Sequence, residues 1–240
     1  MRQFSDPHLA ALAVLVLSVA GAIHIGRHHP GRPTDVLAYG LAALILAAWA
    51  GEYIVDIARG VWTVQYDLPL QLTDTISVTA AVALITRRQA LAELTYLWAL
   101  SASLQATLTP DLAQNFPSVY YFTYFVYHIG AIVAGCLLVF GCGAYPRRHA
   151  AWRTFGFTAL WAAVAGAADA ITGGNYGYLH WKPAHNSLMS LMGRWPIYVA
   201  ETGLVGLAML LIIQWVTDWI RRHDRGRSRP AVAAGATTPG

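Results

Sequence analysis

Val119-Tyr-Tyr-Phe-Thr-Tyr124-Phe-Val-Tyr127-His128-Ile-Gly-Ala-Ile-Val-Ala-Gly-Cys136-Leu-Leu-Val-Phe-Gly-Cys142 contains no Asp, Glu, Lys or Arg. A helix crosses the hydrocarbon of a bilayer with about 20 apolar residues, so this run is long enough to span. Comparable runs occupy 9–25, 36–57, 68–86, 89–108, 152–171 and 196–219. In lipid every backbone N–H and C=O must be satisfied internally, which leaves helices and closed barrels. The runs are too long and continuous for barrel strands. The pattern therefore predicts an all-α, polytopic membrane protein, a bundle of about seven transmembrane helices over residues 1–220. A basic, disordered tail is expected at 221–240.

Composition agrees. The 240 residues are 56% hydrophobic and only 12% charged, with mean hydropathy +0.45. A soluble domain carries about 25% charged residues. The basic residues are unevenly placed. One set of connections holds Arg2, Arg59, Lys182 and Arg194, which is 4 of the 16. The other 12 are Arg27, Arg32, Arg87, Arg88, Arg147, Arg148 and Arg153, with Arg221, Arg222, Arg225, Arg227 and Arg229 near the C-terminus. Cytoplasmic loops are enriched in Lys and Arg, so the expectation is an inner-membrane, multi-pass protein with its N-terminus outside and C-terminus cytoplasmic. Ala20-Gly21-Ala22 resembles a signal-peptidase site. Arg27 and Arg32 follow it while only Arg2 precedes it, a bias that opposes cleavage. Cys136 and Cys142 have neither thiol-redox nor zinc spacing. No phosphate loop, zinc-protease or serine-hydrolase motif is present, and neither cofactor, metal nor nucleic acid is expected.

The polar residues inside the spans carry the functional signal. Glu52, Asp56, Gln71, Asp74, Gln105, His128, Asp169 and Glu201 all fall toward the outer leaflet on this topology. Intramembrane polar groups face a bundle interior or a wet cavity, so their bias predicts an outward-facing polar pocket. Pro69 suits the first turn of the third helix, with Gln71, Asp74 and Thr75 on one face. Tyr121, Tyr124 and His128 form a stripe, with His128 roughly 16 Å deep at 1.5 Å per residue. Glu52 and Asp56 share a face of the second helix. The longest outer loop holds Gly173, Gly174, Asn175, Tyr176 and Lys182, and Glu201 lies one turn into the last helix as a partner for Lys182 or His128. Glu93 is the exception, near the cytosolic end and expected to pair with Arg87 or Arg88.

Several motifs recur in order: Leu68-Pro69-Leu70-Gln71-Leu72, then Gln105-Ala-Thr-Leu-Thr-Pro-Asp111-Leu112, then Phe116-Pro117 and His128. Gly174-Asn175-Tyr176-Gly177-Tyr178-Leu179, Lys182-Pro183, Ser187-Leu188 and Gly193-Arg194-Trp195-Pro196-Ile197-Tyr198 complete the set. Over about 35–220 this resembles the bacterial YwaF-like integral membrane family. That family is similar, more distantly, to a eukaryotic multi-span ether-phospholipid acyltransferase in which a cysteine and a histidine carry the acyl transfer. His128 matches the histidine by motif position. The third-segment motif has no cysteine near it, Gln71 stands where many relatives carry His, and Gly174 and Asp169 stand where Thr and Asn are common. The resemblance thus brings over the histidine without the cysteine.

The leading expectation is a lipid-modifying enzyme. His128 would be the general base and Asp74 or Glu201 its orienting carboxylate. Gln71, Gln105, Asp111, Asn175, Tyr176 and Lys182 would bind substrate, Lys182 through a phosphate. The nucleophile would be a lipid hydroxyl or a threonine such as Thr73 or Thr75. The partner is membrane lipid, with a phospholipid or small molecule entering from the outer leaflet. Two other readings stay open on the residues alone: a small-molecule or ion transporter coupled through Asp74 and His128, or a non-catalytic scaffold whose polar groups hold the bundle together.

Overall fold

The computed structural model describes residues 3–184 and 187–227. Among these there are helices and turns and no strand, as the apolar pattern predicts. α1 is Asp6–His28, α2 Arg32–Ala58 and α3 Leu72–Thr86. α4 covers 89–108, with a π-helical turn, Ala99–Ser103, joining Gln89–Trp98 to Leu104–Leu108. α5 is Val119–Gly141 and ends in a second π-helical turn, Leu137–Gly141. α6 is Ala150–Thr172 and α7 Ile197–Arg227. α1, α2, α5, α6 and α7 are each long and apolar enough to cross a membrane. α7 continues through the first part of the expected tail; residues 228–240 of that tail lie outside the described residues.

α5 is the axis of the bundle and is buried along most of its length. It packs on α1, α2, α3 and α4, while α6 and α7 pair with each other and lean on α4. Small residues let membrane helices approach closely. Gly135 faces the α4 backbone so tightly that a Cβ there would lie 2.8 Å from Tyr96 Cα. Gly26 of α1 crosses Gly141 of α5, where a Cβ would meet Gly141 Cα at 2.6 Å. The outer rods present Leu17, Ile54, Leu160, Leu204 and Trp215 outward, the apolar exterior of a lipid-facing bundle.

The connections divide the molecule into two ends. The loop-rich end carries 59–71, 109–118 and 173–196. The basic end carries 29–31, 87–88 and 142–149.

One expected boundary moves. α3 begins at Leu72, so Pro69 precedes the helix instead of opening it. Asp67 Oδ2 accepts the Thr63 N–H at 2.7 Å and folds the chain into a turn there. Gln71 is the N-cap residue, its N–H donating to Asp74 Oδ2 at 2.7 Å, one half of a capping box. At 15 residues α3 is about 22 Å long, short of the roughly 30 Å hydrocarbon. Irregular backbone is tolerated at membrane depth only where protein satisfies it. Here Tyr176 donates to Val64 O at 2.6 Å and accepts from Leu68 N at 3.0 Å, and Trp161 Nε1 donates to Leu70 O at 3.0 Å.

Candidate functional site

The polar residues of the loop-rich end form two assemblies. The first lies inside the bundle, between α2, α3 and α5. Asp74 is buried, and its Oδ1 accepts both Trp49 Nε1 and Tyr53 Oη at 2.9 Å. Trp49 and Tyr53 are four apart on α2, so one carboxylate ties two helices while its other oxygen caps α3. Glu52, from the same stretch of α2, lies within reach of the Thr123 and Tyr127 hydroxyls of α5. One turn further out, Tyr120 donates to Asp56 while the Arg59 guanidinium sits 5.3 Å above the Tyr120 ring. The α2–α5 seam is thus laced by carboxylate–tyrosine pairs.

The second assembly folds the 173–196 connection over the bundle. Asp169 is buried at the end of α6; its Oδ1 accepts Tyr176 N at 2.7 Å and its Oδ2 lies 3.4 Å from His180 Nδ1. Asn175 Oδ1 accepts the N–H groups of His180 and Trp181, and its amide donates to Trp181 O. Gln71 Oε1 accepts Gly177 N at 2.9 Å, joining the connection to the start of α3. Gly177 has φ +65° and lies against the six-membered ring of Trp161. Tyr178 donates to Asp111 Oδ2 at 2.9 Å, and its carbonyl accepts Tyr198 Oη at 2.6 Å. Burial, and after it the Asp111 carboxylate, push the Tyr178 phenol above its usual range. Trp195 stacks on His180 and donates to Leu179 O.

These contacts redistribute the expected roles. Asn175, Tyr176, Gln71 and Asp111 are brought to one place, but their polar atoms are turned to backbone and to one another. Lys182 Nζ donates to Met192 O at 2.7 Å and lies 5.5 Å from the Tyr198 ring centroid. Glu201 Oε2 accepts Gly193 N at 2.7 Å. Both therefore brace the approach to α7 and do not pair with each other. Gln105 is half-buried, and its carbonyl accepts from Thr109. Neither Asp74 nor Glu201 reaches His128: among the described residues no hydrogen bond or ion pair joins His128 to a carboxylate. Glu93 also pairs differently from its expectation. Arg147 and Arg153 hold it at 2.7 and 2.9 Å, while Arg87 pairs with Asp35. Those partners come from the α5–α6 connection and the first turn of α6, which pack over Glu93 of α4.

His128 stands apart. It is 3% exposed, its ring centroid lies 4.4 Å from that of Tyr124 and 4.8 Å from that of Tyr127, and its Nδ1 has no hydrogen-bond partner. Tyr124 is itself anchored, donating to Ala106 O of α4 at 2.9 Å. Buried polar side-chain atoms overwhelmingly have a partner, so an unfilled imidazole nitrogen deep in a bundle calls for an explanation. Cys136 is buried two helical turns away on α5, roughly 12 Å along the axis, and cannot pair with it.

The profile of the TMEM164 family, a membrane protein family, matches residues 3–214. The chain belongs to the TMEM164 family. No curated protein and no solved structure matches it. Membership and the apolar helices together make this TMEM164-family chain an integral, multi-pass membrane protein in contact with lipid. Trp49, Tyr53, Tyr127, Trp161 and Tyr198 are the site residues that the sequence reading passed over. The Trp49–Tyr53 spacing of four beside Glu52 was a visible signal, and Tyr198 closes the last motif of the ordered set.

Proposed function

We propose that this TMEM164-family protein transfers acyl chains between phospholipids in the leaflet at its loop-rich end, with His128 as the proton acceptor. The observation that carries this is the buried, unpartnered Nδ1 of His128. An imidazole nitrogen without a protein partner has its lone pair or proton uncommitted, the chemical capacity that a proton acceptor needs once substrate reaches it. In the transfer, the hydroxyl of a lysophospholipid gives its proton to His128 as its oxygen bonds to the acyl carbonyl carbon of the donor. The donor's ester C–O bond then breaks, and the imidazolium returns the proton to the leaving alkoxide. One ester replaces another, so no outside reactant is consumed. Tyr124 and Tyr127 pack against the ring, and Gln105, next in sequence to the Ala106 whose carbonyl accepts Tyr124, is the amide assigned here to the ester. The narrower likeness to YwaF-like proteins and, beyond them, to an ether-phospholipid acyltransferase supports the same chemistry. So does Glu93: Arg147, Arg153 and Gln89 fill both its oxygens, which favours chemistry at one leaflet over passage across the bundle. On this reading the loop-rich end faces outward and the basic end the cytoplasm.

Acyl exchange in proteoliposomes tests the reading. Purified protein receives a labelled phospholipid donor and a lysophospholipid acceptor, beside His128→Ala and His128→Gln. Transfer by wild type that both variants lose, with all three monodisperse and helical, is expected. Transfer retained by the variants, or none by folded wild type, overturns it and leaves the polar residues as bundle glue.

A further inference from the structure

The basic end contains a second convergence of side chains, remote from His128. Arg147 and Arg153 meet on Glu93, and Arg153 Nη1 also donates to Arg148 O at 2.9 Å. Gln89 links Glu93 to Tyr145 O, donating to the latter at 2.9 Å. The Arg221 guanidinium from α7 lies 5.4 Å over the Tyr145 ring. Three elements, α4, the α5–α6 connection with the start of α6, and α7, therefore bring the guanidinium groups of Arg147, Arg153 and Arg221 around one loop that also carries the exposed Arg148.

The charge there is unbalanced. Glu93 is the carboxylate inside the cluster, and its two oxygens already accept five donors: Gln89, the Arg147 N–H, two guanidinium nitrogens of Arg147 and one of Arg153. Asp218 lies one turn before Arg221 on α7 and offsets one further charge at most. The side chains of Arg147 and Arg153 remain 56% and 42% exposed after meeting Glu93. Arg148 is exposed. Arg221 Nε is buried with no hydrogen-bond partner among the described residues, so at least one donor is desolvated and unfilled.

The position in the bilayer says what fills it. Measured from Ile197, Arg221 is about 36 Å along α7, just beyond the roughly 30 Å of hydrocarbon. Exposed Trp152, Trp215 and Trp219 lie within two turns of the cluster, as in an interfacial belt. Guanidinium groups match phosphate oxygens with paired N–H donors, and a surface in the headgroup layer meets phosphate carried on lipid. We propose that Arg147, Arg148, Arg153 and Arg221 form a binding site for the phosphate of an anionic phospholipid in the leaflet at the basic end. The Glu93 clamp fixes two of the arginines, and the Tyr145 ring holds a third, Arg221 of α7.

The test uses the full chain in nanodiscs and reads retained phosphatidylglycerol by native mass spectrometry as its fraction in phosphatidylcholine is raised. Arg148→Gln/Arg221→Gln removes two guanidinium groups that do not hold Glu93. Arg27→Gln/Arg32→Gln removes the same charge from the α1–α2 side of the same end. At roughly tenfold for each guanidinium that hydrogen-bonds the phosphate directly, the first pair should weaken retention on the order of a hundredfold, and the second, which removes only surface charge, far less. Equal loss in both pairs would mean diffuse surface attraction and would overturn the site, as would unchanged retention in the first pair. Free glycerophosphate that competes as well as lipid at equal concentration would overturn the assignment to lipid. Helical content measured beside each variant separates loss of binding from loss of fold.

Discussion

Asp74 offers the sharpest division between a pocket residue and a structural one. Its carboxylate accepts Trp49, Tyr53 and the N–H of Gln71, three donors from two helices and one cap. Asp74→Ala removes the acceptor for all three. Interhelical hydrogen bonds inside membranes average about 0.6 kcal/mol and reach about 1.7. A helix cap contributes about 1 kcal/mol. The sum predicts a loss of roughly 2–4 kcal/mol. Equilibrium unfolding in mixed micelles, driven by SDS and followed by circular dichroism, would measure it. Trp49→Phe keeps the ring and deletes the donor, so the Trp49→Phe/Asp74→Ala cycle isolates one bond. Its coupling should be about 0.6–1.7 kcal/mol. A loss under about 0.5 kcal/mol for Asp74→Ala, or a cycle that closes without coupling, would refute the view that Asp74 ties α2 to α3. Full stability with abolished acyl exchange would instead return Asp74 to the catalytic role that the sequence suggested.

Two further outcomes follow from the geometry. Gly177→Ala would place a Cβ 2.1 Å from Trp161 Cη2 at φ +65°. Left-handed strain of about 1–2 kcal/mol and overpacking of about 1–3 should loosen the 173–196 connection. Faster tryptic cleavage after Arg194 would report that loosening, and an unchanged rate would refute it. Cys142 is exposed at the basic end and Cys136 is buried, so native thiols report orientation. A membrane-impermeant maleimide should label Cys142 in inverted vesicles and not in intact cells; the reverse pattern would invert the proposed topology.

The helices were legible because lipid makes a simple demand: an apolar run of spanning length has few alternatives to helix. What the sequence could not say was which polar atom meets which. The start of α3 illustrates the problem. Pro69 reads locally as a first helical turn, yet the boundary depends on Tyr176, about a hundred residues away, holding the backbone of Val64 and Leu68. Glu93 was matched to its chain neighbours Arg87 and Arg88, but the α5–α6 connection and the first turn of α6, packed over α4, deliver Arg147 and Arg153 instead. The polar residues of the loop-rich end stood out in the sequence as a group. Periodicity places them on a face and a depth; it does not show that Asn175, Tyr176 and Lys182 direct their hydrogen bonds to protein backbone. That depends on the path of the 173–196 connection, which carries no periodic signal.

This distribution of hydrogen bonds separates positions that hold the fold from those left over. Where a buried group is fully partnered, removing it strands its partners, and stability falls by the desolvation of what remains. Asp74, Asp169, Asn175 and Tyr176 are of this kind. His128 Nδ1 is of the other kind: removing it strands nothing. An apolar or amide side chain of similar volume at 128 should therefore leave stability unchanged or raised, whatever it does to turnover. Sites kept unsatisfied for chemistry show that inverse relation between stability and activity. A structural histidine would show a loss in both. The stability of His128→Gln, measured beside its acyl exchange, thus bears on function even before the substrate is known. If the variant is as stable as wild type, the bundle has no use of its own for that nitrogen.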